Sequence, residues 1–201
     1  MNKINYQKRL DEIIEGFGGE RKSLLLHSCC APCSSYVLEY LEKHFDITLM
    51  YYNPNIQPEE EFNRRLSEQK RLCAEVHPKI SVISPEYNNE EYFSVVKGLE
   101  ELGENSERCF ACYRFRMRLA AEYAKEHGFD YFTTTLSISP YKNAEKLNEI
   151  GYEIEKELGM PYLPADFKKK EGYKRSIELS KDYNLYRQEY CGCIFSKREG
   201  H

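Results

Sequence analysis

Eight cysteines stand in this chain of 201 residues, and seven fall in three tight groups: Cys29, Cys30 and Cys33; Cys109 and Cys112; Cys191 and Cys193. A single CxxC pair carries little weight, since it serves equally as a turn of a core helix, a zinc half-site or a redox dithiol. Three groups so widely separated have a usual reason to be gathered, which is a metal centre. Two chemistries fit the inventory. Cys30/Cys33 with Cys109/Cys112 make the tetrahedral thiolate set of a zinc-stapled binding module, leaving Cys29, Cys191 and Cys193 unexplained. A four-iron cluster takes four thiolates, or three with one iron left open. Cys29, Cys30, Cys109 and Cys112 would supply four from two loops, with Cys33 as the competitor. Spacing alone leaves this choice open.

Cys191-Gly192-Cys193 has a different character. A bond between thiols two residues apart closes a small, strained ring that is easily reduced, which suits a working redox pair. Donation of a further metal ligand is the other use of that segment. Cys30-Ala31-Pro32-Cys33 also has the form of a thioredoxin-type dithiol. His27 beside it has the chemistry of an acid or a ligand, and equally of a hydrogen-bonded structural residue. Cys73, in an amphipathic stretch with Phe62, Leu66, Leu72 and Val76, reads as a small buried hydrophobe.

The elements that must position these groups alternate in type. Helical patterning covers 6–16, 34–44, 58–76, 89–100, 109–127, 143–158 and 172–183, with Gly128 expected to cap the fifth of these. Short apolar runs at 23–28, 47–52, 79–84 and 131–136 read as strands, and Tyr162-Leu163-Pro164 as a short extended piece. The alternation implies one α/β domain over 1–201, a parallel sheet with helices on both faces. Ligands gather at the carboxyl ends of such strands. The first cysteine group falls there, and Cys109 and Cys112 open a helix, where the N-terminal dipole favours thiolate.

Composition narrows the class. The chain is 41% hydrophobic and 31% charged, as expected of a globular protein. Its net charge of −4 excludes a generally basic nucleic-acid coat but not a local basic face. Arg114, Arg116 and Arg118, then Lys168-Lys169-Lys170, Lys174 and Arg175, are the candidates for one, and the 17 tyrosines could stack on bases. Residues 1–8 lack an apolar signal region, so a cytoplasmic location is expected, where structural disulfides are rare.

The segments His27-Ser28-Cys29-Cys30-Ala31-Pro32-Cys33, Arg108-Cys109-Phe110-Ala111-Cys112-Tyr113-Arg114-Phe115-Arg116 and Tyr190-Cys191-Gly192-Cys193-Ile194-Phe195-Ser196 together resemble the cobalamin-independent epoxyqueuosine reductases, the QueH family. The likeness runs from about residue 21 to residue 198. It implies two-electron removal of the epoxide oxygen from epoxyqueuosine at the tRNA wobble position, the last step of queuosine biosynthesis. It implies tRNA and an electron donor as partners. It also implies a [4Fe-4S] cluster on Cys29, Cys30, Cys109 and Cys112, and a redox-active disulfide between Cys191 and Cys193. Cys33 would lie beside the cluster or help to hold a second, mononuclear metal. The chain order also resembles the nucleotide hydrolase-like (PP-loop) fold of tRNA thiolation enzymes. Where those carry a glycine-rich pyrophosphate loop, this chain has Ser28-Cys29-Cys30-Ala31-Pro32-Cys33-Ser34, so the fold is expected without its ATP site.

Overall fold

Leu24, Leu25 and Leu26 are three consecutive apolar residues with no polar alternation, the pattern of a strand covered on both faces. A computed structural model, which describes residues 4–196, places them in the strand β1 (Lys22–Ser28). Residues 1–3 and 197–201 of the expected domain lie outside the described residues. β1 pairs in parallel with β2 (Phe45–Tyr51) and with β4 (Tyr131–Thr134), while β3 (Ser81–Ile83) adds to β2, giving the order β3-β2-β1-β4. The extended piece at Tyr162 continues the sheet beyond β4. Phe132 donates its backbone N–H to Pro161 O, and Leu163 donates to Phe132 O.

Alternation along β1 sorts its side chains between two cores. Leu24 and Leu26 pack with Leu10 of α1 (Tyr6–Glu15), Val37 and Leu38 of α2 (Ala31–Leu41), Phe62 and Cys73 of α3 (Glu59–Val76), and Leu179 of α7 (Gly172–Asp182). Leu25 faces the other way, onto Met117, Ala120 and Ala124 of α5 (Glu107–Glu126) and Leu147 and Ile154 of α6 (Ala144–Leu158). The short helix α4 (Asn89–Val96) leads towards α5. Each fully buried leucine of β1 contributes about 1.5–3 kcal/mol of transfer free energy. The doubly covered parallel sheet expected from the alternation is therefore present. Among the described residues, no helix is long and apolar enough to cross a membrane.

Among the boundaries that depart from the sequence expectation, three have a clear local reason. α2 begins at Ala31 rather than residue 34, because Pro32 in its first turn fixes φ near the helical value. β4 stops at Thr134, whose hydroxyl accepts the N–H of Leu136 and turns the chain into a 3₁₀ segment, Thr135–Ile138. α4 ends at Val96, two residues before Gly98 takes φ +81°. Gly128, by contrast, follows the end of α5 as expected, with φ +69° and the Phe129 N–H returning to Ala124 O.

α7 lies against α2 through Gly172. A Cβ there would stand 2.0 Å from Phe167 O and 2.4 Å from Cε1 of Tyr36. Gly172→Ala is expected to destabilise the fold by about 3 kcal/mol, the upper end of ordinary overpacking, because a backbone oxygen cannot swing aside. Urea unfolding checks this; a loss under about 0.5 kcal/mol would show that the two helices separate freely.

Candidate functional site

The strand order reverses direction between β1 and β4, so a crevice opens where their carboxyl ends diverge. Cys29 follows β1 directly, and its N–H donates to Thr135 Oγ1, 3.4 Å away in the turn after β4. Cys30 is the N-cap of α2, in extended backbone, and its side chain makes no capping bond. Cys33 lies in the first turn of that helix. The sulfurs of Cys29, Cys30 and Cys33 all lie within 4.8 Å of one another, and Cys29 and Cys30 are 3.8 Å apart. Three thiols at this spacing could bind a metal.

Buried polar side chains fix the backbone under this trio. Ser28 Oγ donates to Gln69 Oε1 at 2.8 Å, and Ser34 adds a second donor to the same oxygen. Gln69 in turn donates to Cys73 Sγ at 3.5 Å, so Cys73 is the small core residue its pattern suggests. Asn53 Nδ2 donates to Ser28 O at 2.8 Å. His27 has both ring nitrogens engaged, Nδ1 with Thr134 Oγ1 at 2.9 Å and Nε2 with Tyr52 O at 3.0 Å. Burial, followed by the charge of Arg116, lowers its pKa to about 4. Of the roles open to it in the sequence, the structural one is observed: a neutral ring that donates to Tyr52 O and accepts from Thr134.

Without a metal, the three thiols are pushed in opposite directions. Hydrogen bonds from Cys30 and Cys33 hold Cys29 well below the usual thiol range. Burial pushes Cys30 up to about 12, and the bond with Cys29 raises Cys33.

α5 brings up the second group as expected, with Ser106 as N-cap and Cys109 and Cys112 in its first two turns. Cys109 packs at the edge of the α5–α6 core, outside the close trio. Cys112 is buried with Tyr92, Val96 and Cys193, and this burial raises its pKa. Cys112 and Cys193 thus join the second and third groups.

The third group is clamped by residues that motif reasoning passed over. Arg65, buried in α3, donates Nη1 to Cys191 O at 3.1 Å and Nη2 to Tyr190 O at 3.4 Å. Its Nε pairs with Glu61 at 2.6 Å. Gln57 N donates to Gly192 O at 2.9 Å. Gly192 has φ +110°, and a Cβ on it would lie 2.8 Å from Ile56 Cγ1 and 3.0 Å from Arg65 Nη1, so glycine is required on both counts. Cys191 and Cys193 are free thiols here in different surroundings. A bond from Cys193, and after it the charge of Lys142, whose Nζ lies 3.5 Å from Cys191 Sγ, hold the Cys191 thiol well below its usual range. Cys193 is pushed up by its bond to Cys191 and by burial.

A cavity of about 550 Å³ connects the parts. Cys29, Cys33, Arg65, Arg116, Lys142 and Cys191 all line it. Burial works against the Lys142 ammonium, but the Cys191 thiolate, with Tyr113 and Cys29, more than restores its charge. The three arginines expected on one basic face separate. Arg116 is buried against the site, while Arg114 pairs with Glu153 and Glu157, and Arg118 with Glu122 and Glu157. Of the later basic run, Lys168, Lys170, Lys174 and Arg175 are likewise paired with carboxylates.

Arg65, Asn53, Lys142 and Gln188, which donates to Cys30 Sγ, are the site residues that the sequence reading missed. One signal was available. Arg116 follows Cys112 by four residues, which puts the two on one helix face.

Sequence comparison agrees with this geometry. The family described as epoxyqueuosine reductase QueH matches residues 24–199. A Staphylococcus epidermidis protein named epoxyqueuosine reductase QueH is 44% identical, over 96% of this chain and 85% of its own length. A Streptococcus pyogenes protein of the same name is 41% identical over 98% and 79%, and one from Thermotoga maritima 36% identical over 89% and 94%. The matched span includes all three cysteine groups and the side chains that hold them, and the chain belongs to the epoxyqueuosine reductase QueH family.

Proposed function

We propose that this chain reduces epoxyqueuosine in tRNA to queuosine, acting as an oxidoreductase in the last step of queuosine biosynthesis. The reaction takes two electrons and two protons; the epoxide becomes an alkene and the oxygen leaves as water. The observation that carries the reading is the cavity that Cys29, Cys33 and Cys191 share with two cations, Arg116 and Lys142.

That donor set fits a thiolate-bound metal group. The sulfurs of Cys29, Cys30 and Cys33 are close together, and among the described residues neither cation has a carboxylate partner, so the pocket is prepared for net negative charge. Cys29, Cys30, Cys109 and Cys112 are our ligands for a [4Fe-4S] cluster. When bound, such a cluster supplies electrons singly and an electrophilic iron. Cys33 is assigned to a second, mononuclear metal beside it. Cys191 and Cys193 are the dithiol. Their oxidation to a disulfide releases two electrons and two protons, the number the epoxide consumes. Lys142 orients and charges Cys191, and Arg65 holds the segment's backbone.

The first test is anaerobic purification with iron, sulfide and zinc analysis, followed by turnover of tRNA carrying epoxyqueuosine with a chemical reductant. About four iron and four sulfide per chain, and conversion to queuosine, are expected. Zinc without sulfide after cluster reconstitution, or no conversion by iron-loaded protein, would refute the reading.

A further inference from the structure

We propose that Arg116 is the fixed counter-charge of the cysteine-held group, donating a hydrogen bond to it and raising its reduction potential. The inference rests on the cluster reading above and goes beyond it by naming what sets the cluster's electron affinity.

Arg116 is 1% exposed. Its Nε donates to Cys112 O at 3.4 Å and its Nη1 to Asn53 Oδ1 at 2.9 Å. Both partners are neutral. Nη2 is buried and has no partner among the described residues. The other buried guanidinium of the cavity wall, Arg65, has Glu61. The neighbours of Arg116 on the exposed face of α5, Arg114 and Arg118, have three glutamates between them. An unpaired buried charge costs several kcal/mol, so a guanidinium kept in this state implies an anion that arrives with the cofactor or the substrate.

Its tethers favour the cofactor. The residue stands one helical turn after Cys112 on α5 and is tied to the first cysteine group as well. It bonds the carbonyl of Cys112 directly. Through Asn53 it reaches the carbonyl of Ser28, the residue before Cys29. The side chain thus lines the cavity while held to the backbone beside both proposed ligand pairs. A thiolate-ligated cluster gains a negative charge on reduction. A nearby positive charge, and a hydrogen bond to sulfur, stabilise that reduced form more than the oxidised one.

The test is a redox titration of holoenzyme, followed by the visible and paramagnetic signals of the cluster. Compared with wild type, Arg116→Gln is expected to show a more negative midpoint potential at equal iron and sulfide content. Arg116→Lys keeps the charge but loses the planar fork of donors, so an intermediate fall is expected. If Arg116→Gln fails to fold or to hold iron, Arg116→Lys decides. An unchanged or raised potential overturns the proposal. So does an unchanged potential with a raised KM for tRNA, which would assign the guanidinium to a substrate phosphate. Wild-type protein without iron and sulfide would defeat the cluster reading itself, an outcome that metal analysis reads separately.

Discussion

A Cys191→Ser enzyme is expected to keep the wild-type iron and sulfide content and to lose multiple turnover with a dithiol reductant by about 10³-fold or more. Cys29→Ser is expected to lose both the metal group and the activity. The contrast follows from where the two sulfurs stand. Cys29 belongs to the close trio at the end of β1, with the other two sulfurs within 4.8 Å. Cys191 faces the same cavity from a separate segment whose backbone is held by Arg65 and Gln57 rather than by a metal. A strong one-electron reductant should restore a single turnover to the Cys191→Ser enzyme, since only the dithiol store has been removed. Full multiple turnover by that variant would remove the pair from the mechanism, and loss of iron would make Cys191 a ligand.

The second large effect is expected at Arg65. Arg65→Met leaves the Glu61 carboxylate without its cation and frees the carbonyls of Tyr190 and Cys191. Breaking a buried pair from one side costs about 3–5 kcal/mol. Part of that loss should return in the Arg65→Met/Glu61→Gln double variant, which removes the stranded charge. Local exchange separates the clamp from general instability. The amide protons that the carbonyls of segment 188–193 accept, Gln57 N–H on Gly192 O and Ser196 N–H on Cys193 O, should exchange far faster in both variants, while those of β1 follow the global stability. Unchanged exchange at those amides would show that Arg65 does not hold the segment.

The parts of this molecule that were legible in its sequence are those written in local pattern. Three leucines in a row announce a doubly covered strand, and closely spaced thiols announce themselves whatever the fold. The cysteine groups also point to their place, because a turn after the first strand of an α/β sheet lies at its ligand-binding edge. What stayed hidden depends on which neighbour a side chain meets. Arg114, Arg116 and Arg118 look alike in sequence, yet one is buried beside cysteines and two reach glutamates on α6. Arg65 has no motif at all. Its partners at Tyr190 and Cys191 lie 125 and 126 residues away, beyond any window of periodicity. His27 could not be assigned before Thr134 and Tyr52 were seen to occupy both nitrogens. The start of α2 was misplaced because the apolar pattern begins later than the helix that Pro32 starts.

The distance between Arg65 and its partners also has a meaning in time. A chain is made from its N-terminus at about 5–20 residues per second, and its parts begin to fold as they emerge. Arg65 and Gln57 are therefore made well before the segment they grip, and for several seconds their side of the cavity has no cover. In that interval residues 29–33, and then 109–112, are already synthesised while the segment that Arg65 and Gln57 will hold is not. The order of synthesis thus sets both earlier cysteine groups in place before Cys191 and Cys193 arrive.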